Sequence, residues 1–234
     1  MEAWLTFARG PLLQLSFAIL ALGVLRQLAL TLCELVLAWR RAGDQFIPVR
    51  LLFRRSLGWI LPVNALRGTR IPYTLASLVF HAGVLVVPLF LSGHVQLIRS
   101  GLGIGWPGLP AAAADTLTLG ALAALAALAF LRFLDRASRV LSGFQDWFLL
   151  GLCGLVFLSG YAVAHPAANP LPFPATYLVH LLSAELLLVL LPFTKLTHAL
   201  LFPFTQVSWE LGWHFVPGAG ERVRAALGKE GEPV

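Results

Sequence analysis

Residues 175–202 read ATYLVHLLSAELLLVLLPFTKLTHALLF, with Glu185 and Lys195 as the charged side chains in the run. A helix of about 20 apolar residues, rising about 1.5 Å each, crosses the roughly 30 Å hydrocarbon core of a bilayer. This run is longer than that, and a soluble domain has no use for it. It reads as a membrane span. Two histidines, His180 and His198, lie inside it, and ionisable groups at membrane depth are costly enough to mark function.

Four further runs of the same kind precede it: about Pro11 to Trp39, Pro72 to Ile98, Ala111 to Phe133 and Phe144 to Ala164. Pro11, Pro72 and Pro110 stand where a helix start tolerates a missing N–H. Of the 234 residues 58% are hydrophobic and 12% charged, with a mean hydropathy of +0.81, so lipid is the solvent for most of the chain. The N-terminal run is too long for a signal-peptide core and is expected to remain as the first helix. Cys33 and Cys153 lack the paired spacing of a zinc or iron–sulfur site and read as small apolar filler.

The net charge of +6 does not point to nucleic acid, because the basic residues sit between the apolar runs. Arg40, Arg41, Arg50, Arg54, Arg55, Arg67 and Arg70 follow the first run. Arg132, Arg136 and Arg139 lie around the end of the third, and Arg222, Arg224 and Lys229 follow the fifth. The opposite side carries only Arg9 and Arg99. The positive-inside rule then gives an N-terminus outside and a C-terminus in the cytoplasm. The expected fold is an all-α integral membrane protein, a bundle of five transmembrane helices in the cell's inner (cytoplasmic) membrane. Residues 1–204 form the transmembrane domain, with 40–71 a basic cytoplasmic loop, and 205–234 form a cytoplasmic tail. The basic loop, with Phe46, Phe53 and Trp59, suits a surface-lying amphipathic helix or a docking face for a soluble subunit.

Four of the six histidines fall in predicted spans: His81 and His94 on the second, His180 and His198 on the fifth. On antiparallel helices they match by depth, His81 with His198 toward the cytoplasm and His94 with His180 toward the outside. Two imidazoles facing each other across a bundle are what a six-coordinate haem iron needs. On an ideal helix His180 and His198 are five turns apart on one face, about 27 Å along the axis. His81 and His94 point about 220° apart on an ideal helix, so their joint use requires a distortion, for which Pro88 is placed. Gly83 and Gly93 offer flat backbone for a macrocycle or, equally, for helix packing. His165, in an outer loop, and His214, in the tail, have no partner at matching depth and read as surface residues.

The run Leu191-Pro192-Phe193-Thr194-Lys195-Leu196-Thr197-His198, with His180 before it, resembles the Pro-Phe-Ser-basic-Leu-x-His run of the gamma subunit of respiratory nitrate reductase. That subunit is a dihaem cytochrome b of five helices. Phe80-His81-Ala82-Gly83, followed by Gly93-His94, is similar to the same family's second-helix motif. The resemblance implies two b haems with His81, His94, His180 and His198 as axial ligands, and oxidation of quinol near the outer haem. It also implies a cytoplasmic iron–sulfur subunit as partner, of the nitrate reductase kind or of the heterodisulfide-reductase-like kind that serves sulfur metabolism. The second-helix histidines are more widely spaced here, the first cytoplasmic loop is longer, and Ala114, with Asp115 beside it, stands where the family carries a lysine.

A quinone near the outer haem needs protonatable neighbours. Arg99, Asp115 and Glu185 are the candidates for that site, although Asp115 also suits the start of the third helix electrostatically. Arg26 and Glu34 share a face of the first helix and could meet haem propionates or each other. Lys195 reads as a snorkelling side chain. The expected role is a quinol-oxidising or quinone-reducing electron-transfer subunit without a soluble catalytic domain. A haem-free membrane anchor or small proton-relaying transporter is the alternative.

Overall fold

The computed structural model describes residues 1–41, 49–50, 53–54, 71–202, 204, 216 and 218–231. Helix α1 (Glu2–Phe7) runs through a π turn (Ala8–Leu12) into α2 (Leu13–Arg41). There follow α3 (Ile71–Phe90), α4 (Ser92–Leu102), α5 (Ala111–Leu134), α6 (Arg136–Leu141), α7 (Phe144–Ala164), α8 (Phe173–Leu190) and, in the tail, α9 (Ala219–Leu227). Two 3-10 turns, Leu191–Phe193 and Lys195–Thr197, prolong α8. Among the described residues there is no strand. Five helical stretches are long and apolar enough to cross a membrane: Glu2–Arg40, Ile71–Phe90, Ala111–Leu134, Phe144–Ala164 and Phe173–Phe193.

In their most apolar windows only 11% to 28% of residues are buried within the protein. Large side chains such as Leu22, Leu25, Phe130, Phe133 and Leu158 are therefore exposed, and lipid is the solvent in which that exposure is favourable.

The first span starts before Pro11, not at it. Pro11 cannot donate an N–H, and the chain winds there as a π turn in which Leu13 N–H reaches Ala8 O, five residues back. The linkers from α4 to α5 and from α7 to α8 are short and locally tied. Gly103 closes α4 in the left-handed region (φ 73°), and Asn169 bridges the α7–α8 linker by accepting from Leu171 N–H and donating to Thr176 Oγ1 at 2.9 Å. Asp135 caps α6, and the Asp146 carboxylate accepts Gly143 N–H ahead of α7. Most of the basic loop lies outside the described residues, though Val49, Arg50, Phe53 and Arg54 are exposed.

Two compact bodies divide the chain, Met1–Phe17 with Asn64–Leu188, and Ala18–Val63 with Val189–Val234. In the first, α5 supplies a small-residue stripe: Ala114, Thr118, Ala121, Ala124 and Leu128 are buried at near-helical spacing. Gly83 of α3 meets this stripe so closely that a Cβ there would stand 2.5 Å from Ala121 Cβ and 3.0 Å from Leu117 O. The flat backbone at Gly83 therefore serves helix packing, as small residues do in lipid. Val87 and Phe157 complete that core around Ala121. Buried Cys153 and exposed Cys33 are unpaired. In the second body, Gly23 of α2 faces Pro192, whose Cγ would lie 2.5 Å from an added Cβ.

Candidate functional site

The second predicted span is interrupted between its two histidines. Leu91, three residues past Pro88, is extended (φ −63°, ψ 128°), and the chain re-enters a helix at Ser92. A break in a helix leaves backbone carbonyls unpaired, which lipid cannot satisfy. Here three of them, in sequence, find donors. His94 Nδ1 reaches Pro88 O at 3.0 Å, Trp106 Nε1–H donates to Leu89 O at 2.9 Å, and Leu109 N–H donates to Phe90 O at 2.8 Å. A carbonyl only accepts, so Nδ1 of His94 carries the hydrogen. Nε2 is then the nitrogen with a lone pair to give.

His180, on α8, is held by α7. Its Nδ1 lies 3.1 Å from Val156 O and 3.3 Å from Ser159 Oγ, and the Ser159 hydroxyl is itself spent on Leu155 O at 2.6 Å. Gly160 makes room for the ring: a Cβ there would lie 2.9 Å from Cε1 and 3.2 Å from Nδ1. Nδ1 is again the donor, and Nε2 again presents its lone pair.

The two rings, both half-buried, are 6.2 Å apart between centroids with planes 2° from parallel. Two imidazole nitrogens each about 2.0 Å from a shared metal, with about 1.1 Å from nitrogen to ring centre, place the ring centres about 6.2 Å apart. An offset aromatic stack covers the same range. What marks this pair is that each ring is anchored through Nδ1 to a backbone carbonyl, the support that metal-ligating histidines characteristically have. The donor set fits a bis-histidine haem.

His81 is exposed on α3, its Nδ1 2.7 Å from Ser77 O. His198, in the second body, has Nδ1 2.6 Å from Lys195 O. The five regular helical turns expected between His180 and His198 are interrupted. After Leu190 the chain tightens into the two 3-10 turns, with Thr194 extended between them (φ −125°, ψ −175°). The cause is Pro192, and the freed carbonyls are again met by side chains. Thr194 Oγ1 donates to Leu190 O, Thr197 Oγ1 to Leu191 O, and Gln27 Nε2 to Pro192 O at 2.9, 3.0 and 2.8 Å.

Asp115 makes a contact that the sequence did not reveal. Its Oδ2 lies 3.2 Å from Nε2 of His165, so His165, expected to lack a partner, joins α7 to α5. Tyr161 stacks on the His165 ring at 4.2 Å. Arg99 is exposed and packs its stem over Gly105. Glu185 is 3% exposed, and neither carboxylate oxygen has a hydrogen-bond partner. Arg26 and Glu34 are exposed on α2, Gly93 has no neighbour within 4 Å of an added Cβ, and His214 lies outside the described residues. Val156, Ser159 and Gly160 were missed, although the pair Ser159-Gly160 inside an apolar span was a visible signal of close approach.

Among the described residues no three or more His, Cys, Asp and Glu side chains gather to hold a metal ion; the arrangement present is the histidine pair. No family model matches the chain, and no solved structure matches it. A protein of Nitratidesulfovibrio vulgaris (strain Hildenborough), described simply as a protein, is 32% identical over 148 residues, which is 63% of this chain and 64% of that relative. The match thus spans less than two thirds of the relative, and its description carries no function to transfer.

Proposed function

We propose that the chain is a dihaem cytochrome b subunit of the cytoplasmic membrane, with its N-terminus outside and its C-terminus in the cytoplasm. It passes electrons between membrane quinol and a cytoplasmic iron–sulfur partner, and it belongs with the nitrate reductase gamma-like proteins. The observation that carries this reading is the His94–His180 pair: 6.2 Å apart, planes parallel, each Nδ1 fixed by a backbone carbonyl. His81 and His198 are the second pair of ligands, and their Nδ1 atoms are likewise engaged by Ser77 O and Lys195 O.

Bound haem would supply one-electron chemistry. The residues of this chain hold the rings in one tautomer with Nε2 available, keep the surroundings apolar, and supply donors to the carbonyls freed at the helix breaks. Exposed basic residues after α2 and around α6 suit an acidic docking partner on the cytoplasmic side. A haem-free proton relay is the competing reading. It would string titratable groups along one path, whereas two parallel rings each anchored through Nδ1 to a backbone carbonyl favour ligation.

A pyridine haemochrome count on purified wild type and on His94→Ala, His180→Ala, His81→Ala and His198→Ala tests the reading. Two b haems are expected in the wild type and one in each variant, with the double variant His94→Ala/His180→Ala losing no more than either single one. A colourless wild type overturns the proposal in favour of the relay or anchor.

A further inference from the structure

We propose that the elbow joining α5 to α7 binds an anionic phospholipid, with Arg132, Arg136 and Arg139 on the headgroup phosphate and Val140, Leu141 and Phe144 among the acyl chains. The inference needs only the membrane spans and stands apart from the haem reading.

The depth of the elbow follows from chain length. Residues 135–143 alone join the spans Ala111–Leu134 and Phe144–Ala164. Within them α6 is bounded by extended backbone at Asp135 (φ −77°, ψ 113°) and Ser142 (φ −92°, ψ 115°), and it is about 9 Å long at about 1.5 Å per residue. The polar zone on each face of a bilayer is about 5–8 Å deep. Past α6 only Ser142 and Gly143 remain before the next span begins, too little chain for α6 to stand out from the surface and return. The elbow therefore stays at headgroup level. Trp147, in the first turn of α7, is of the residue type that gathers there.

At that level the elbow shows two kinds of surface side by side. Val140, Leu141 and Phe144, at 79%, 81% and 83%, are the most exposed large apolar side chains among the described residues. Next to them, Arg132, Arg136 and Arg139 make no ion pair among the described residues. The neighbouring carboxylates cap helices: Asp135 Oδ2 accepts Ser138 N–H at 3.2 Å, and Asp146 Oδ2 accepts Gly143 N–H at 2.9 Å. Arg132 and Arg139 lie over the rings of Trp147 and Phe133, at 5.9 and 5.7 Å. A ring face engages the positive charge but accepts no conventional N–H bond, so the guanidinium forks keep donors for phosphate oxygens. An acidic protein face would answer the arginines and leave the three apolar side chains uncovered. An amphiphile with an acidic head answers both.

The test uses the full chain. Native mass spectrometry in detergent ranks bound dioleoylphosphatidylglycerol against dioleoylphosphatidylcholine. Each basic residue near an anionic surface contributes about fivefold in affinity. Arg132→Gln/Arg136→Gln/Arg139→Gln should therefore lose at least about tenfold of the preference for phosphatidylglycerol, whereas Arg222→Gln/Arg224→Gln, in the tail, should lose none. Arg136→Gln alone alters an exposed side chain outside both ring contacts; it should lose about fivefold, and it decides the matter if the triple variant does not fold. Unchanged preference in the elbow variants overturns the assignment and returns these arginines to the acidic docking partner. Displacement of the lipid by excess inorganic phosphate overturns it in favour of a simple anion site. A nitrobenzoxadiazole probe on Leu141→Cys, with Cys33→Ala and Cys153→Ala, reads the apolar half in phosphatidylglycerol vesicles. Doxyl groups high on the acyl chains should quench it. Unquenched, water-like emission overturns the assignment, whatever the haem count.

Discussion

Gly160→Ala adds one methyl group to α7, and the structure makes its consequence specific. The new Cβ would lie 2.9 Å from His180 Cε1 and 3.2 Å from Nδ1, where ordinary contact begins near 3.4 Å. The ring must retreat by about 0.5 Å, because helix backbones in a packed body give way less easily than a side chain. A shift of that size stretches the 3.1 Å bond to Val156 O out of hydrogen-bond range. It also exceeds the tolerance of about 0.2 Å in a metal–ligand distance. Overpacking of this kind costs about 1–3 kcal/mol, and disturbing a ligand's supporting bond lowers metal affinity by about 10–100-fold. The assay is transfer of haem to excess apomyoglobin, followed spectroscopically. Of the two proposed haems, one should leave about 10–100 times faster than in the wild type, while the other keeps its rate. Gly151→Ala, on the same helix with nothing within 4 Å of the added Cβ, is the control; Ala in place of Gly favours a helix by about 1 kcal/mol. If Gly160→Ala releases both haems at the wild-type rates, the ring is not held where the structure holds it, and its anchoring is not what positions the ligand.

Three further perturbations test the frame around the site. Gly83→Val drives a branched side chain into Ala121 and Leu117 O, contacts already at 2.5 and 3.0 Å for a bare Cβ, and should lower the thermal midpoint of the helical circular dichroism signal by at least the equivalent of about 1–3 kcal/mol; Gly93→Ala, with open space around it, should not. Trp106→Phe removes the donor to Leu89 O and should cost about 1–3 kcal/mol, read as faster thermal loss of structure and of one haem. Gln27→Leu leaves Pro192 O without its 2.8 Å donor and should destabilise by a similar amount, with the spectral change confined to the haem that His198 is proposed to ligate.

The five spans were legible because length and hydropathy alone decide which helices lipid can hold: α7 begins and ends at the residues the sequence indicated, Phe144 and Ala164. The interruptions were legible in part. Pro88 announced a distortion, but its site, Leu91, depends on donors that arrive from Trp106 and Leu109, which local sequence does not couple to it. Pro192 carried the same signal in the fifth span and was passed over in favour of regular turns. The Asp115–His165 contact was out of reach for another reason. It joins two helices 50 positions apart, and helical periodicity describes each face without saying which faces meet.

His94 carries two duties at the first break, and they can be separated. Its Nδ1 closes the carbonyl of Pro88, a task any side-chain N–H of suitable reach could perform, while its Nε2 is proposed to bind iron, which only the imidazole can do. His94→Gln keeps an N–H donor able to reach a backbone carbonyl and removes the ligand. His94→Leu removes both. Leaving that carbonyl unpaired costs about 1–3 kcal/mol, and more where lipid replaces water. The glutamine variant should therefore be the more stable of the two by about that amount in thermal denaturation, yet both should contain a single haem. Equal stability would mean that the Pro88 carbonyl does not depend on residue 94, and the break would have to be held by Trp106 and Leu109 alone. Two haems in His94→Gln would mean that the ring serves the backbone and not the iron, and the pairing with His180 would lose its chemical meaning.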